Sequence, residues 1–488
     1  NTGLGVDVFA ALTSGDNNVA VGNNALNDNT TGSLNTSVGA FSLDSNSTGA
    51  NNTALGASAL GSSTTGDDNV AVGQGSLTAN TTADKNVAVG KNAMLSTTTG
   101  GSNVAIGDGA LDANTTGTVN VAVGRDALGS STTQSANTAI GYGTLRDNTS
   151  GTSNAALGYL ALEENTTGSY NIAVGAEAME ENTTGVGNIA IGYHALEENT
   201  TASYNTAVGY ETLTSNTTGS YNVAIGRASL SANTTASYNT ALGNAALNAN
   251  TTGTRNTAVG AAALDANTTA NDNTALGYDA ASANTTGQMN VAIGTYAFDA
   301  NTTGSYNTVV GRAALSANTT ADYNTAIGFQ ALDLNTTGTQ NVAVGSSALD
   351  ANTEASYNTA IGHGSLGANT TGGSNTGVGR GSLQVNTTGI QNTAVGVNAL
   401  DANTTGASNT AVGEGALSAN TTADNNVAFG QDALQSNTTG ASNTSVGVNS
   451  LGGNTTGNNN TAVGIFALDA NTTGGQNVAV GDNALGAN

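Results

Sequence analysis

The sequence has no proline, cysteine or tryptophan, and it has little charge. Of its 488 residues only 8% are charged, and 8 Lys and Arg stand against 33 Asp and Glu, for a formal net charge of −25. The absence of cysteine excludes disulfides and thiol chemistry. The scarcity of basic residues disfavours binding to nucleic acid or to an anionic membrane surface, because both need Lys and Arg. No run of about 18 or more apolar residues occurs, so we expect no insertion into a membrane.

One short repeat occupies the sequence. Asn recurs 29 times at a constant spacing of 17 residues, from Asn1 to Asn477. Counted from this Asn as place 1, the unit reads approximately N-[TV]-A-[VIL]-G-x-x-A-L-x-A-N-T-T-G-x-x, as in residues 205–221. A fixed short period is the signature of stacked repeats. We therefore predict a single continuous solenoid over residues 1–488, with 1–17 an atypical first coil and 477–488 an incomplete last coil.

The residue types of the repeat favour strand over helix. Recurrent Gly would cost a helix roughly 1 kcal/mol at each interior position. The segment N-T-A-V is typical of a short strand, and such a strand can bury an apolar face only by stacking on its neighbours. The sequence predicts an all-β fold, a parallel β-solenoid (β-roll or β-helix) with one 17-residue coil per repeat and about 29 coils.

Individual places predict which side chains lie inside. Place 4 is always apolar and place 9 is nearly always Leu, so we expect places 2 and 4 and place 9 to face inward, in columns of Val or Ile, Ala and Leu. Gly at place 5 in all 29 units indicates positive φ or a close steric approach. Place 15, where Ala often replaces Gly, indicates a corner without a left-handed backbone. At place 1 we favour a stacked amide ladder over an outward turn residue.

The strand segment recurs in nearly identical form. It reads N-V-A-V-G at residues 69–73, 86–90 and 120–124, and N-V-A-I-G at 103–107. These segments resemble the head repeats of trimeric autotransporter adhesins, and residues 301–311 are similar to repeats of bacteriophage tail-fibre proteins. The resemblance implies a β-roll, often three chains side by side, in an extracellular or cell-surface fibre, an adhesin or a virion fibre. The period is longer here than in the adhesin heads.

The sequence offers no group of dissimilar residues of the kind that catalysis needs. Its two histidines, His194 at place 7 and His363 at place 6, lie 169 residues apart and cannot share a site in one solenoid. We expect both to be solvated surface residues. We predict that the chain is not an enzyme and has no cofactor, with Ca²⁺ the one ion to consider.

Six glutamates at places 10 and 11 of three successive coils are weak candidates for a metal site. They are Glu163, Glu164, Glu180, Glu181, Glu197 and Glu198. Stacking would place them about 5 Å apart in a carboxylate patch, and oxygen-rich clusters suit hard cations such as Ca²⁺. A solvated acidic face is the favoured alternative.

Tyrosines at places 6 and 17 flank the strand. Tyr204, Tyr221 and Tyr238 at place 17 are candidates for stacking sugar rings, such as cell-surface carbohydrate, or for lining a contact between chains. Capping of the small apolar corners by these rings is the favoured alternative.

Place 12 begins an N-x-[ST] sequon in 23 units. Candidate glycosylation sites are Asn29, Asn114, Asn165, Asn216, Asn301, Asn403 and Asn471. An Asx or Ser/Thr turn that closes each coil is the favoured alternative.

The leading functional hypothesis is a structural extracellular fibre or adhesin shaft. The alternative is an ice-binding β-solenoid that uses the Thr ranks at places 13 and 14. The expected partner is a further copy of the chain, as a homotrimer or an end-to-end filament. The last unit follows the repeat faithfully to Asn488, so we expect either that further residues follow it or that another copy stacks on it.

Overall fold

A computed structural model describes residues 1–486, in two compact units, residues 1–239 and 240–486. Each unit is a parallel β-solenoid with one three-residue strand per 17-residue coil, as the repeat predicts. Among residues 1–486 there is no helix, and hence none long and apolar enough to cross a membrane. The last two residues of the predicted incomplete coil 477–488, Ala487 and Asn488, lie outside the described residues.

Strands in both units have the same length and follow the repeat. In the first unit, β1 to β14 are Thr2–Leu4, Val19–Val21, Thr36–Val38, Thr53–Leu55, Val70–Val72, Val87–Val89, Val104–Ile106, Val121–Val123, Thr138–Ile140, Ala155–Leu157, Ile172–Val174, Ile189–Ile191, Thr206–Val208 and Val223–Ile225. In the second, β15 to β29 are Thr240–Leu242, Thr257–Val259, Thr274–Leu276, Val291–Ile293, Thr308–Val310, Thr325–Ile327, Val342–Val344, Thr359–Ile361, Thr376–Val378, Thr393–Val395, Thr410–Val412, Val427–Phe429, Thr444–Val446, Thr461–Val463 and Val478–Val480. Successive strands within a unit pair in parallel at the same place, as Ala71 pairs with Ala88.

The interior is lined by Ala of place 3, and the prediction that places 2 and 4 face inward is wrong. In β13, Ala207 is fully buried, whereas Thr206 and Val208 are half-buried on the outside. The strand alternates as expected, but with the opposite phase. The reason is space: the Ser37 hydroxyl at place 3 donates to the carbonyl oxygen of Ser42 at place 8 over 2.8 Å, so the gap between these columns suits a small side chain.

The large interior side chain comes from place 9. Leu213 is fully buried, and so are its bulky substitutes Met94, Met179 and Phe298. The inward orientation predicted for this place is confirmed. The core of each unit therefore consists of two columns of small residues, at places 3 and 8, and one column of Leu.

Both properties predicted for Gly at place 5, positive φ and a close steric approach, are confirmed. Its φ is positive in all 29 coils, between 125° and 149°. A methyl group added at Gly209 would lie 2.6 Å from the carbonyl oxygen of Gly226 in the next coil. Place 15 differs, as predicted: Ala83 at that place is buried and has no left-handed backbone.

Left-handed backbone also occurs at places 7, 9 and 17, which the sequence did not indicate. Examples are His194 (φ 53°), Leu213 (φ 52°) and Tyr221 (φ 61°). Such a conformation costs an L-residue about 1–2 kcal/mol. The hydrogen bonds between coils hold it in place: the Leu213 N–H donates to the carbonyl oxygen of Ser229 at 3.0 Å, and the Tyr221 N–H to that of Ser203 at 3.2 Å.

Two buried columns of asparagine connect the coils. At place 1, Oδ1 of Asn171 accepts the backbone N–H of Asn188 at 2.9 Å, which confirms a ladder there, although its main link runs from side chain to backbone. At place 12, Nδ2 of Asn199 donates to Oδ1 of Asn182 at 2.8 Å and to the carbonyl oxygen of Ala202 at 3.1 Å. Place 12 thus forms both the predicted turn and a second amide ladder.

Candidate functional site

The outer face of each sheet carries two uncharged ranks of side chains, at places 2 and 4; we call it the sheet face. Place 2 holds Thr, Val, Ile or Ala, and place 4 holds Val, Ile, Leu or Phe, with no charged residue in any coil. Many of these side chains are exposed, including Leu55 (47%), Ile106 (42%) and Leu157 (47%) in the first unit and Leu276 (46%) in the second. A chain with a net charge of −25 thus keeps its charges off this face. Large exposed apolar patches are typical of interaction sites, so this face is a candidate for one.

The predicted glutamate columns lie on another edge, at places 10 and 11. The carboxyl groups of Glu163 and Glu180, from consecutive coils, lie close enough to interact, and the Arg146 guanidinium contacts Glu163. Burial, and then repulsion from Glu177 and three other glutamates, raises the pKa of Glu180 to about 7. Burial also outweighs the attraction of Arg146 and raises the pKa of Glu163. Stacking therefore produces the predicted carboxylate patch, but part of it is desolvated.

His194 lies at the margin of this patch, at the surface as predicted, but it is paired with two glutamates and is not simply solvated. Its Nε2 contacts Oε2 of Glu177, and its Nδ1 is 2.9 Å from Oε2 of Glu197. The ring stacks on Tyr193, with centroids 3.7 Å apart and planes inclined by 18°. The three side chains are each 21–27% exposed. The signal for this cluster was present in the sequence, because Glu177 and His194 share place 7 of adjacent coils.

The second histidine has different surroundings. His363 lines an open groove of about 580 Å³ in the second unit, together with Asp333, Asp350 and Gln384. Burial raises the pKa of Asp350, although backbone N–H groups and His363 act in the opposite direction. The groove exists because Gly364 and Gly367 place no side chain there.

The tyrosines of place 17 form a stacked column. The Tyr204 and Tyr221 centroids are 5.2 Å apart with planes at 18°, and those of Tyr221 and Tyr238 are 5.2 Å apart with planes at 2°. Each ring is at least half exposed. Because neighbours cover both faces of Tyr221, a sugar could not stack on that ring, and the ring edges and hydroxyl groups are left for contacts.

The seven asparagines named as candidate glycosylation sites lie inside the solenoid. Six are fully buried, and Asn471 is 6% exposed. Nδ2 of Asn301, for example, donates to Oδ1 of Asn284 at 2.7 Å and to the carbonyl oxygen of Gly304 at 3.1 Å. A glycan on Nδ2 would need the space that the neighbouring coil fills, so the geometry disfavours glycosylation of the folded chain.

No family model and no curated protein matches this chain. What the molecule does has to be inferred from its surfaces: the sheet face, the carboxylate patch with His194, and the tyrosine column.

Proposed function

We propose that the chain is a structural segment of an extracellular or cell-surface fibre or adhesin, without catalytic activity, in which copies of the chain pack side by side through the sheet face. The observation that carries this proposal is the uncharged sheet face, with side chains such as Leu55 and Ile106 more than 40% exposed on a strongly acidic chain. The resemblance of the strand segments to trimeric autotransporter heads agrees with it.

A long repeat suits this mode of assembly. Burying the exposed half of one Val, Ile or Leu side chain is worth on the order of 1 kcal/mol. Association costs about 4–15 kcal/mol in lost freedom of motion, so a single coil could not hold two chains together. Because the same two ranks recur in every coil, the contributions add along the sheet face.

Hydrogen bonding between coils supplies the stiffness that a shaft needs. The Thr206 N–H donates to the carbonyl oxygen of Asn222 at 2.8 Å, and bonds of this type recur in coil after coil. The buried amide columns at places 1 and 12 add side-chain links between the same coils. Bending would have to distort several of these bonds in every coil.

Light scattering of the purified full chain tests the proposal. We expect a molar mass that is a multiple of the monomer mass, and a shift toward monomer in the double variant Leu55→Lys with Val174→Lys. The matched control is Ala57→Lys with Ala176→Lys, two residues further along the same coils, where place 6 already carries Lys91 in another coil. A wild-type monomer, or equal masses for the two double variants, would contradict side-by-side packing through this face.

Ice binding is the second candidate. Of its two predicted ranks of threonines, place 14 is exposed, as at Thr303, and place 2 offers a further rank. At place 13 the hydroxyl of Thr302 donates to the carbonyl oxygen of Thr319 at 2.9 Å, so this rank already has a structural role. Place 2 presents Thr outward on the sheet face of the second unit, at residues 240, 257, 274, 308, 325, 359, 376, 393, 410, 444 and 461. The test is thermal hysteresis of the wild-type chain and of the double variant Thr359→Lys with Thr393→Lys. Hysteresis that the double variant loses would favour ice, and not a second copy of the chain, as the occupant of the sheet face.

A further inference from the structure

The cluster around His194 brings together three side chains that can each bind a metal. One atom each from Glu177, His194 and Glu197 lies within 4.8 Å of the other two. Zn²⁺ binds His nitrogen and carboxylate oxygen at about 2 Å, so its tetrahedral ligand atoms are about 3.4 Å apart. Small side-chain rotations would close the remaining distance. Within residues 1–486, this is the one group of three such residues so close together.

The imidazole of His194 has an unfavourable contact when it is neutral. A neutral ring has one N–H donor and one nitrogen with a lone pair, yet both nitrogens face carboxylate oxygens, of Glu177 and Glu197. One of the two contacts is therefore repulsive for a neutral ring, and a cation between the ring and that carboxylate would remove the repulsion. A metal ion bound by one nitrogen would use its lone pair, and a small rotation would bring the carboxylate that faces the other nitrogen to the same ion.

The surrounding charge favours a cation. Glu177 and Glu197 both lie near Glu180 at the edge of the carboxylate patch, so several negative charges surround one histidine. A divalent ion would relieve a repulsion that one histidine cannot.

The site is ordered and open to solvent. Stacking on Tyr193 fixes the plane of the His194 ring. An open cavity of about 260 Å³ borders the ring on the side of the next coil and is lined by His194, Glu211 and Thr214 among others. The cavity gives an ion a path to the ring and leaves room for water as a further ligand.

We propose that Glu177, His194 and Glu197 bind one divalent transition-metal ion, with Zn²⁺ as the reference case. A nitrogen ligand beside two carboxylates suits Zn²⁺ and its transition-metal neighbours better than Ca²⁺, which prefers oxygen ligands alone. The site lies at places 7 and 10, away from the sheet face, so it goes beyond the fibre function and does not depend on it.

Isothermal titration of the full chain with ZnCl₂ tests this site. We expect one tight site per chain, retained in the presence of excess CaCl₂. His194→Asn should weaken Zn²⁺ binding roughly tenfold or more. Asn suits the left-handed backbone at this residue (φ 53°) and already occupies place 7 in other coils, for example as Asn92 (φ 58°), so the variant should fold normally. Far-ultraviolet circular dichroism without metal checks that it does.

His363→Asn is the matched control, because it removes the other histidine of the chain and leaves the cluster intact. Its Zn²⁺ affinity should equal that of the wild type, and Glu177→Gln should weaken binding as His194→Asn does. The proposal is overturned if the wild type shows no saturable Zn²⁺ binding, or if His194→Asn and His363→Asn bind equally well. Light scattering of the same variants, with unchanged masses expected, keeps this result separate from that of the fibre proposal.

Discussion

The two faces of each strand differ in residue size, and the difference is opposite to the one that hydrophobicity alone would predict. Inside, place 3 is occupied mostly by Ala, and Ala207 is fully buried. Outside, places 2 and 4 carry the larger β-branched and aliphatic side chains, and Ile106 is 42% exposed. The inner face is restricted by the space between places 3 and 8, whereas the outer face has no such limit within one chain. Residue size therefore identifies the inner face, and the exposed larger residues are the ones that the proposed side-by-side packing would bury.

The largest loss of stability should come from replacing the glycine that follows the strand, because the positions of both strand faces depend on the backbone there. Gly209 has φ 143°, and a Cβ atom would clash with the carbonyl oxygen of Gly226. We expect Gly209→Val to destabilise the chain by more than about 5 kcal/mol, because the clash with the backbone of the next coil adds to a backbone strain of roughly 1–3 kcal/mol. Chemical denaturation should show it. Gly129→Ala, at place 10 of another coil in the same unit, is the control and should be nearly neutral. Its φ is not positive, a Cβ atom there would lie no closer than 3.3 Å to a neighbouring atom, and Asp112 and Arg146 occupy that place in the adjacent coils.

Truncating the interior Leu column should have the next largest effect. Leu213→Ala leaves a cavity among fully buried side chains and should cost about 2–5 kcal/mol. Leu213→Met should cost less than about 1.5 kcal/mol, because Met179 fills the same place two coils away. Equal melting temperatures for Leu213→Ala and the wild type would mean that place 9 does not support the core.

A pair of neighbouring substitutions compares the two faces directly. Ala207→Leu adds volume inside the strand and should destabilise the chain by about 1–3 kcal/mol. Val208→Leu adds volume on the sheet face and should be close to neutral, since Leu55 and Leu157 occupy place 4 in other coils. If thermal unfolding ranked the two variants in the opposite order, the assignment of inner and outer faces would have to be reversed.

The smallest effect on stability is expected at the carboxylate patch, which lies on the outside of the solenoid. The pKa of Glu180 rises from 4.5 to about 7, first through burial and then through nearby glutamates. A folded-state pKa above the unfolded value gives stability that is complete below pH 4.5 and is lost as the pH rises to about 7. The melting temperature of the wild type should therefore fall more across this window than that of Glu180→Gln. Parallel curves for the two proteins would rule out this contribution.

The sequence was sufficient for the fold class, the coil length and the roles of places 5 and 9. It was not sufficient for the phase of the strand. A period of two shows that Thr206 and Val208 share one face, but the side that is buried depends on the distance to place 8 across the coil. Ala at place 3 is too small to indicate an interior position by its hydrophobicity.

Other features escaped prediction because the whole solenoid determines them. Leu213 has no local reason to adopt a left-handed backbone, and hydrogen bonds to the next coil impose it. The contact between His194 and Glu177 could have been found, since both occupy place 7 of adjacent coils. The predicted metal site did not include this contact, because it was based on the glutamates of places 10 and 11, which form a different column.

The buried asparagine columns also affect how the protein ages. Deamidation requires the backbone nitrogen that follows an Asn to approach the side-chain carbonyl carbon, which a flexible, solvated residue allows. Asn182 and Asn199 are fully buried, and their amide groups are hydrogen-bonded to each other. Conversion of one of them to Asp would replace the Nδ2 donor with a second acceptor and introduce a charge that the surrounding amides cannot neutralise. The same columns that link the coils therefore protect their own asparagines from slow chemical damage.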